Sequence, residues 1–268
     1  MHDGILKNNQ YKNSENFNAR ILIHSKYGTN KTPWPIWLFN LYKFENNATI
    51  IEFGCGNGLI WKVNSFRINS NWNILLSDFS QGMIESAKKL IGPAGNIKYQ
   101  VIDLGEYSVT EKKYTNVIAN HMLYHLDNRE AALEKIFEML ELNGEFYCST
   151  IGMENMKEMK ELINRFTGND KYSEALGDIS NRFSLENGEE QLIRYFKKIK
   201  RIEFEDSLEI TDSTDLVNYV FSCNNLKPGI IILPEDQKDD FKEFLDKEMA
   251  KTGKIHITKS SGTFIAIK

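Results

Sequence analysis

The chain has 268 residues, of which 41% are hydrophobic and 26% are charged, and its formal net charge is -4. This length and composition allow one large α/β core with additional elements, or two small domains, and they exclude an intrinsically disordered chain. The net negative charge provides no basic field that would hold a polyanion. Nucleic acid and anionic membrane surfaces are therefore not expected as partners.

The sequence shows neither a membrane-spanning run nor a secretory signal. Its N-terminus, residues 1–11, is polar and rich in Asn, and no run of about 18 apolar residues occurs. The three cysteines, Cys55, Cys148 and Cys223, form no C-x-x-C pair, so we expect reduced thiols rather than disulfides or a zinc site. These features predict a cytoplasmic protein.

Short β-rich runs alternate with helical periodicity from about residue 49 to residue 149. We expect strands at residues 50–53, 73–76, 97–102, 115–119 and 145–148. After the fourth strand, Asp127 is expected to cap a helix that Asn143 and Gly144 end. This alternation is typical of right-handed βαβ units around a parallel sheet.

The sequence suggests three regions. Residues 1–47 are expected to form an N-terminal helical cover, and residues 48–207 with 253–268 to form an α/β core. Residues 208–252 carry two amphipathic helices and are expected to be an insertion. One interpretation is that the insertion caps the carboxyl ends of the strands, and the alternative is that it extends the core or buries a dimer contact.

A glycine-rich turn follows the first strand. Glu52 precedes Gly54, Gly56 and Gly58, and glycine in such a turn permits positive φ and a close approach of the backbone to a ligand. The dinucleotide fingerprint needs a further glycine where Leu59 stands, so a pyrophosphate ligand is disfavoured. The Glu52 carboxylate would repel phosphate but suits a ligand with an ammonium and a sulfonium centre.

Acidic residues also end the second and third strands. Asp78 is placed to accept hydrogen bonds from both hydroxyls of a ribose. Asp103, followed by Leu104, is placed to accept one from an adenine amino group, while Phe79 and Met83 sandwich the ring. Each aspartate alone is also compatible with a helix cap or a turn, but the pair at successive strand ends favours a nucleoside ligand.

These motifs together resemble the class I S-adenosylmethionine-dependent methyltransferases, in the branch that is similar to the quinone-biosynthesis enzymes. The resemblance covers about residues 45–150 and rests on Glu52-x-Gly54-x-Gly56-x-Gly58, Asp78-x-Ser80-x-x-Met83, Asp103-Leu104, the run Asn120-His121-Met122-Leu123-Tyr124-His125-Leu126, and Leu142-Asn143-Gly144-Glu145. The departure is Asn143, where the family often has Pro-Gly, and it affects a turn.

The resemblance implies a Rossmann-like, doubly wound sheet of seven mostly parallel strands, the last of which is antiparallel. It also implies that S-adenosylmethionine is the cofactor and S-adenosylhomocysteine the product. In the matching positions, Gly54 and Gly56 would border the methionine moiety, and Asn120 would lie beside the methionine end. Asp78 would hold the ribose, and Asp103 with Leu104 would contact adenine.

Histidines near the end of the fourth strand are the candidates for acid–base chemistry. His121 lies closest to the strand end and is the first candidate for a catalytic base; His24, Tyr124 and His125 are the others. Packing at a pocket wall is the alternative. No Glu lies between His121 and His125 and no third ligand is evident, so no metal site is expected. Trp34 is equally compatible with core and pocket wall.

The predicted function is methyl transfer to a small molecule by in-line displacement. A nucleic-acid substrate is disfavoured because Asn120 is followed by His121 and Met122 rather than by the Pro-Pro-aromatic run that grips a base. Whether O, N or C is methylated, and the oligomeric state, stay open. The alternatives are a non-catalytic adenosyl-ligand binder and an NAD-dependent oxidoreductase, of which Leu59 disfavours the second.

Overall fold

The computed structural model describes residues 14–176 and 178–268. The predictions about residues 1–11, and the first part of the predicted N-terminal cover, lie outside the described residues.

The secondary structure alternates as expected. The strands are β1 (Thr49–Phe53), β2 (Asn73–Asp78), β3 (Ile97–Val101), β4 (Tyr114–Asn120), β5 (Leu140–Ile151), β6 (Lys198–Ile210) and β7 (Ile255–Ile267). The helices described are α1 (Ser14–Tyr27), α2 (Trp34–Leu41), α3 (Leu59–Val63), α4 (Gln81–Ile91), α5 (Arg129–Met139), α6 (Lys157–Thr167), α7 (Lys171–Leu176), α8 (Asp178–Arg182), α9 (Gly188–Leu192), α10 (Ser213–Ser222) and α11 (Lys238–Ala250).

The strands form one sheet in the order β3-β2-β1-β4-β5-β7-β6. Strands β1 to β5 pair in parallel, and β7 is antiparallel to β5. This arrangement confirms the predicted seven-stranded, mostly parallel sheet with an antiparallel last strand. Because the carboxyl ends of parallel strands meet at one edge, the ends of β2, β1 and β4 lie side by side there.

The strands are apolar because the sheet is buried on both faces. On β1, Ile51 and Phe53 belong to a hydrophobic cluster with residues of α5, and Ile50 belongs to a second cluster on the other face with Trp61. A strand that is covered on both sides needs an uninterrupted hydrophobic run rather than an alternating one. Glu52 interrupts this run, which makes it the residue on β1 that needs a chemical explanation.

The chain divides into two compact units. The helix-rich unit comprises the described part of residues 1–33, 154–179 and 205–260, and the sheet-rich unit comprises residues 34–153, 180–204 and 261–268. The core of the helix-rich unit contains side chains from α1, α6, α10 and α11, among them Ile23, Met159, Leu216, Val220 and Phe241. The interpretation of residues 208–252 as a cap stays a prediction.

The boundaries of α5 differ from the prediction. The cap is Asn128, whose Oδ1 accepts a hydrogen bond from the Ala131 N–H at 3.0 Å, while Asp127 pairs with Arg182 at 3.3 Å. The helix ends at Met139, before Asn143, because Leu140 already pairs with Tyr114 as the first residue of β5. Asn143 instead has a φ of +64° within that strand.

A buried ion pair anchors the segment after α1 within the helix-rich unit. Oδ1 of Asp206 accepts the N–H groups of Thr29 and Asn30, each at 2.9 Å, and Oδ2 accepts Nζ of Lys259 at 2.7 Å. Burial alone would raise the pKa of Asp206, but the bonds from Lys259 and from the Asn30 amide lower it below its usual value. The ionised form is therefore the one that stabilises the fold.

We predict that Asp206→Ala lowers the free energy of unfolding by roughly 3–5 kcal/mol, since it leaves a buried ammonium without its carboxylate. Urea unfolding at pH 7 measures the loss, and Asp240→Ala, at an exposed position on α11, is the matched control. The difference between the two variants should shrink as pH falls from the ordinary pKa of Asp, where the unfolded chain takes up the proton, to the lowered pKa of Asp206, where the native carboxylate takes it up. Equal stability of both variants at pH 7 would contradict the anchoring role.

Candidate functional site

The glycine-rich turn has the predicted backbone conformation. The φ angles of Gly54, Gly56 and Gly58 are +71°, +57° and +76°. A Cβ on Gly54 would lie 2.9 Å from the Cβ of Met122, and one on Gly58 would lie 2.7 Å from a methyl group of Ile91. Glycine is thus required at both positions by the packing of the protein itself, in addition to any ligand that the turn approaches.

Asp78 holds the turn from the end of β2. Its carboxylate is 5% exposed; Oδ2 accepts the Gly56 N–H at 3.0 Å and Oδ1 accepts the Ser80 N–H at 2.9 Å. Burial raises the pKa of Asp78, and the two amide bonds oppose that rise. A carboxylate has about four lone-pair sites, so two acceptor sites are left for the hydroxyls of a ribose.

The residues predicted to surround adenine lie on the neighbouring elements. Ser80 caps α4 by accepting the N–H of Met83 at 3.4 Å, which places the buried Met83 in the first turn of the helix, while Phe79 is half-buried just before it. Asp103 is half-buried and accepts the Gly105 N–H at 3.0 Å. The Leu104 side chain is part of a core cluster, so the atoms of this residue that face a ligand would be those of its main chain.

Glu52 forms the centre of a buried hydrogen-bond network at the ends of β1 and β4. Its side chain is 2% exposed and accepts hydrogen bonds from Nε1 of Trp61 and, at 3.0 Å, from Nδ2 of Asn120. The same Asn120 nitrogen donates to the Tyr42 hydroxyl at 2.8 Å. Sequence reasoning identified Glu52 and Asn120 but missed Trp61 and Tyr42. The position of Trp61, in the helix that directly follows the turn, was a usable signal.

This environment makes Glu52 ready to receive a cation. Burial raises the pKa of Glu52 to about 7, although the bonds from Trp61 and Asn120 oppose the rise, and the negative charge of Asp78 adds to it. The Oδ1 atom of Asn120 is buried and has no hydrogen-bond partner among the residues that the structure describes. An ammonium group placed here would give Glu52 a counter-charge and Asn120 a donor.

Two serine hydroxyls continue this polar row along the same face of the sheet. Ser149 on β5 is paired with Asn120, and Ser261 on β7 is paired with Ile151, two residues after Ser149. Both hydroxyl oxygens are buried and lack a hydrogen-bond partner within the described part of the chain. The sequence signal that we missed is a Ser inside an apolar strand.

His121 lies at the lip of the sheet in a strained conformation. Its φ is +50°, its N–H donates to the carbonyl of Ser149 at 3.0 Å, and its ring lies 5.1 Å from the ring of Trp34. Trp34 also packs on Trp37 and on Phe204, at 5.1 and 5.2 Å. The half-buried Trp34 therefore belongs to an aromatic cluster beside the end of β4.

Comparison with known proteins agrees with this geometry. Residues 51–148 match a protein family described as "Methyltransferase domain". Residues 51–148 are thus similar to that methyltransferase family. The match confirms the resemblance that the motifs predicted over residues 45–150, and it includes Glu52, Asp78 and Asn120.

Individual relatives are distant. The chain is 28% identical over 143 residues to malonyl-[acyl-carrier protein] O-methyltransferase 1 of Ilyobacter polytropus, which is 53% of each chain. It is 22% identical over 174 residues to malonyl-[acyl-carrier protein] O-methyltransferase of Calditerrivibrio nitroreducens, covering 64% of this chain and 60% of that one. The chain thus aligns with a little over half the length of these relatives.

Solved structures share the fold. A phosphoethanolamine N-methyltransferase 2 of Haemonchus contortus in complex with S-adenosyl-L-methionine has a TM-score of 0.62 at 14% identity, covering 100% of this chain and 60% of that one. An S-adenosylmethionine-dependent methyltransferase of Mesorhizobium loti has a TM-score of 0.52 at 14% identity, covering 89% and 99%. S-adenosyl-L-methionine, the ligand of the Haemonchus contortus structure, has an ammonium group and ribose hydroxyls, which are donors of the kind that carboxylate and amide oxygens accept.

We predict that Asp78→Ala weakens the binding of S-adenosylhomocysteine more than 100-fold, because two hydrogen bonds to a charged acceptor are lost. Isothermal titration calorimetry measures the change. Asp78→Asn keeps an acceptor oxygen for the turn but loses the charge, so we expect an intermediate affinity. Glu85→Gln, on the exposed face of α4, is the control. Affinities equal to wild type in both Asp78 variants would exclude this carboxylate from the ribose site.

We predict that the affinity for S-adenosylhomocysteine rises with pH between 6 and 8. Glu52 is mostly protonated below a pKa of about 7, and a bound ammonium favours its ionised form, so binding should weaken up to about tenfold per pH unit below 7 and level off above it. Calorimetry in two buffers of different ionisation enthalpy also measures the proton released at pH 6. Glu52→Gln should bind with the same affinity across this range, and a wild-type affinity that does not change with pH would refute the assignment.

Proposed function

We propose that this protein transfers a methyl group from S-adenosylmethionine to a small-molecule acceptor. The observation that carries the proposal is the row of Asp78, Glu52 and Asn120 on three adjacent strand ends, with an unpartnered buried oxygen on Asn120. Bound S-adenosylmethionine supplies an electrophilic methyl group on a sulfonium centre. The acceptor displaces it in line, and no covalent enzyme intermediate is required.

The protein's first task is to hold the cofactor in one orientation. Asp78 binds the ribose, and Glu52 with Asn120 binds the methionine end beside Gly54 and Gly56. The adenine ring is contacted by Phe79, Met83, Asp103 and the main chain of Leu104. The order of the strands supports this assignment. The residues assigned to adenine and ribose follow β3 and β2 on one side of β1, and Asn120, assigned to the methionine end, lies on β4 at the other side.

The second task is to receive the acceptor and, where the acceptor carries a proton, to accept that proton. His121 follows β4 directly, and its main chain is fixed by the bond to Ser149 while its ring packs on Trp34. We assign His121 the role of general base. The aromatic cluster beside it supports a dry acceptor site, which excludes water from the displacement.

The first acceptor to test is suggested by the relatives, which are named for O-methylation of a malonyl group on an acyl-carrier protein. An oxygen nucleophile of a malonyl thioester therefore heads the panel, followed by small amines and phenols. No helix among the described residues is long and apolar enough to cross a membrane. A cytoplasmic location is part of this proposal, and the oligomeric state is left open.

The deciding experiment is methyl transfer from radiolabelled S-adenosylmethionine to malonyl-coenzyme A and to an extract of small metabolites. Labelled product that depends on the protein supports the enzyme. Tight binding of S-adenosylhomocysteine with no labelled product from any acceptor would favour the alternative, a non-catalytic adenosyl-ligand binder. Stabilisation by NAD instead of S-adenosylhomocysteine in a thermal-shift assay would overturn both.

We predict that His121→Asn lowers turnover at saturating cofactor by about 100-fold or more, because general-base catalysis typically contributes that much. Asn tolerates the positive φ at this position, so the main chain should keep its place. The affinity for S-adenosylhomocysteine should change less than threefold. His125→Asn is the matched control. A His121→Asn variant that keeps the full rate at every pH would show that His121 only packs at the pocket wall.

A further inference from the structure

Two serines on neighbouring strands of the sheet-rich unit have buried hydroxyls that the proposed reaction does not use. Ser149 on β5 is 0% exposed and Ser261 on β7 is 6% exposed, and neither hydroxyl has a hydrogen-bond partner among the described residues. An unsatisfied buried hydroxyl is unfavourable, so a native fold normally provides a partner. Both serines lie outside residues 51–148, so the methyltransferase motifs do not account for them.

The register of the sheet places Ser149 between Asn120 and Ser261. Ser149 is paired with Asn120 on β4 and with Thr263 on β7, and Ser261 is paired with Ile151, two residues further along β5. Paired residues, and residues two positions apart on one strand, share a face of the sheet. The two serines are therefore diagonal neighbours, about 7–8 Å apart, on the face that carries Asn120.

Other buried hydroxyls of this sheet have structural partners. The hydroxyl of Thr263, which is paired with Ser149, donates to the main-chain carbonyl of Cys148 at 3.1 Å. Ser77 on β2 donates to the carbonyl of Glu52 at 2.7 Å, and both side chains are as fully buried as Ser149. A strand can thus satisfy such a hydroxyl through a neighbouring carbonyl, and Ser149 does not use this possibility.

Ser149 lies beside the residues assigned to methyl transfer. Its main-chain carbonyl accepts the N–H of His121 at 3.0 Å, and the His121 ring lies 5.1 Å from the ring of Trp34. Trp34 packs on Trp37 and on Phe204, which belongs to β6. One serine therefore contacts the main chain of the proposed base, whose ring contacts the aromatic cluster.

The second serine lies near the same aromatic cluster. Strands β6 and β7 are neighbours in the sheet. A Cβ on Gly262 would lie 3.1 Å from the Cα of Glu203, so the residues that adjoin these two, Ser261 and Phe204, are also close in space. The two hydroxyls are thus bordered by His121 at one end and by Phe204 at the other.

The buried charges of this unit indicate which chemical group the serines bind. Among the buried residues that the structure describes in the sheet-rich unit, the charged ones are Glu52 and Asp78, and no Lys or Arg is among them. An anionic group would therefore lack a buried counter-charge, whereas an uncharged group needs none. A carbonyl oxygen has two lone pairs and can accept a hydrogen bond from both hydroxyls.

We propose that Ser149 and Ser261 bind an uncharged carbonyl group of the methyl acceptor, while the aromatic cluster contacts its apolar part. This assignment rests on the proposed methyl transfer and adds the acceptor class, a molecule with a ketone, ester, thioester or amide carbonyl close to its nucleophile. The thioester carbonyl of a malonyl thioester is one such group.

The experiment compares four probes that share a ring, benzamide, benzoate, benzylamine and toluene, by NMR titration of the full chain with and without saturating S-adenosylhomocysteine. Benzamide carries the neutral carbonyl, and the others carry an anion, a cation and no polar group. We expect benzamide to bind about three- to tenfold more tightly than toluene, because a hydrogen bond between neutral groups contributes about this much. Benzoate and benzylamine should bind no more tightly than toluene.

The variants test whether this preference depends on the two hydroxyls. The double variant Ser149→Ala with Ser261→Ala should bind benzamide and toluene equally, and each single variant should lie between it and the wild type. Ser184→Ala is the matched control, because its hydroxyl is also buried without a described partner. Its neighbours Phe183 and Leu185 belong to the cluster on the opposite face of the sheet, so it should keep the wild-type preference.

The stability of the ligand-free protein separates a binding role from a structural one. Ser149→Ala should raise the melting temperature by about 2–4 °C, since it removes an unsatisfied buried group, whereas Ser77→Ala should lower it because a made hydrogen bond is lost. Differential scanning calorimetry measures both shifts. A Ser149→Ala variant that is destabilised as much as Ser77→Ala would overturn the binding role.

The remaining outcomes are equally decisive. Equal binding of benzamide and toluene by the wild type, or tighter binding of benzoate than of benzamide, would refute the carbonyl site. If this happens while S-adenosylhomocysteine binds, the proposed methyl transfer stands without it. If S-adenosylhomocysteine fails to bind, the proposed function is refuted, and the titration without it still tests the two serines.

Discussion

The buried carboxyl group of Glu52 is the interaction on which the rest of the cofactor site depends. Burying an acidic group is unfavourable unless hydrogen bonds compensate, and here the donors come from Trp61 and Asn120. Trp61 belongs to α3, Asn120 ends β4, and Tyr42, which follows α2, accepts from Asn120. One carboxyl group thus connects the turn helix, the neighbouring strand and the segment that leads into β1.

The positions of the polar atoms in this network depend on the hydrophobic packing around them. The Trp61 ring is fully buried in a cluster with Phe39, Ile118 and Tyr147, and the Tyr42 ring packs edge-on against Tyr147 at 4.8 Å. Those contacts hold the Trp61 indole N–H and the Tyr42 hydroxyl at fixed positions. Binding of a ligand therefore does not require the entropy cost of ordering these side chains. Packing therefore determines the chemistry of the site, and the pKa of Glu52 near 7 follows from that packing.

The parts of this arrangement that sequence could predict are those encoded by neighbouring residues. A strand, a glycine-rich turn and a helix are local patterns, so Gly54, Asp78 and Asn120 were identifiable with the edge of the sheet to which they belong. Contacts between residues that are distant in sequence could not be predicted in this way. Tyr42, which precedes β1, contacts Asn120 at the end of β4 because these two strands are adjacent in the sheet. At the start of α5, Asp127 and Asn128 are both of residue types that commonly cap helices. Asn128 is the cap, while the Asp127 carboxylate pairs with the distant Arg182, a contact that the local sequence does not reveal.

The lip of the sheet shows how strain and unsatisfied groups occur together at a site. His121 adopts a left-handed backbone that costs on the order of 1–3 kcal/mol, and its N–H bond to the Ser149 carbonyl holds it there. The hydroxyl of that same serine is one of the buried oxygens without a partner in the described chain. The end of β5 thus fixes the main chain of the proposed base and presents an unused hydrogen-bonding group beside it. Both features reduce the stability of the fold, and they lie beside the residue to which the proposed reaction assigns the proton transfer.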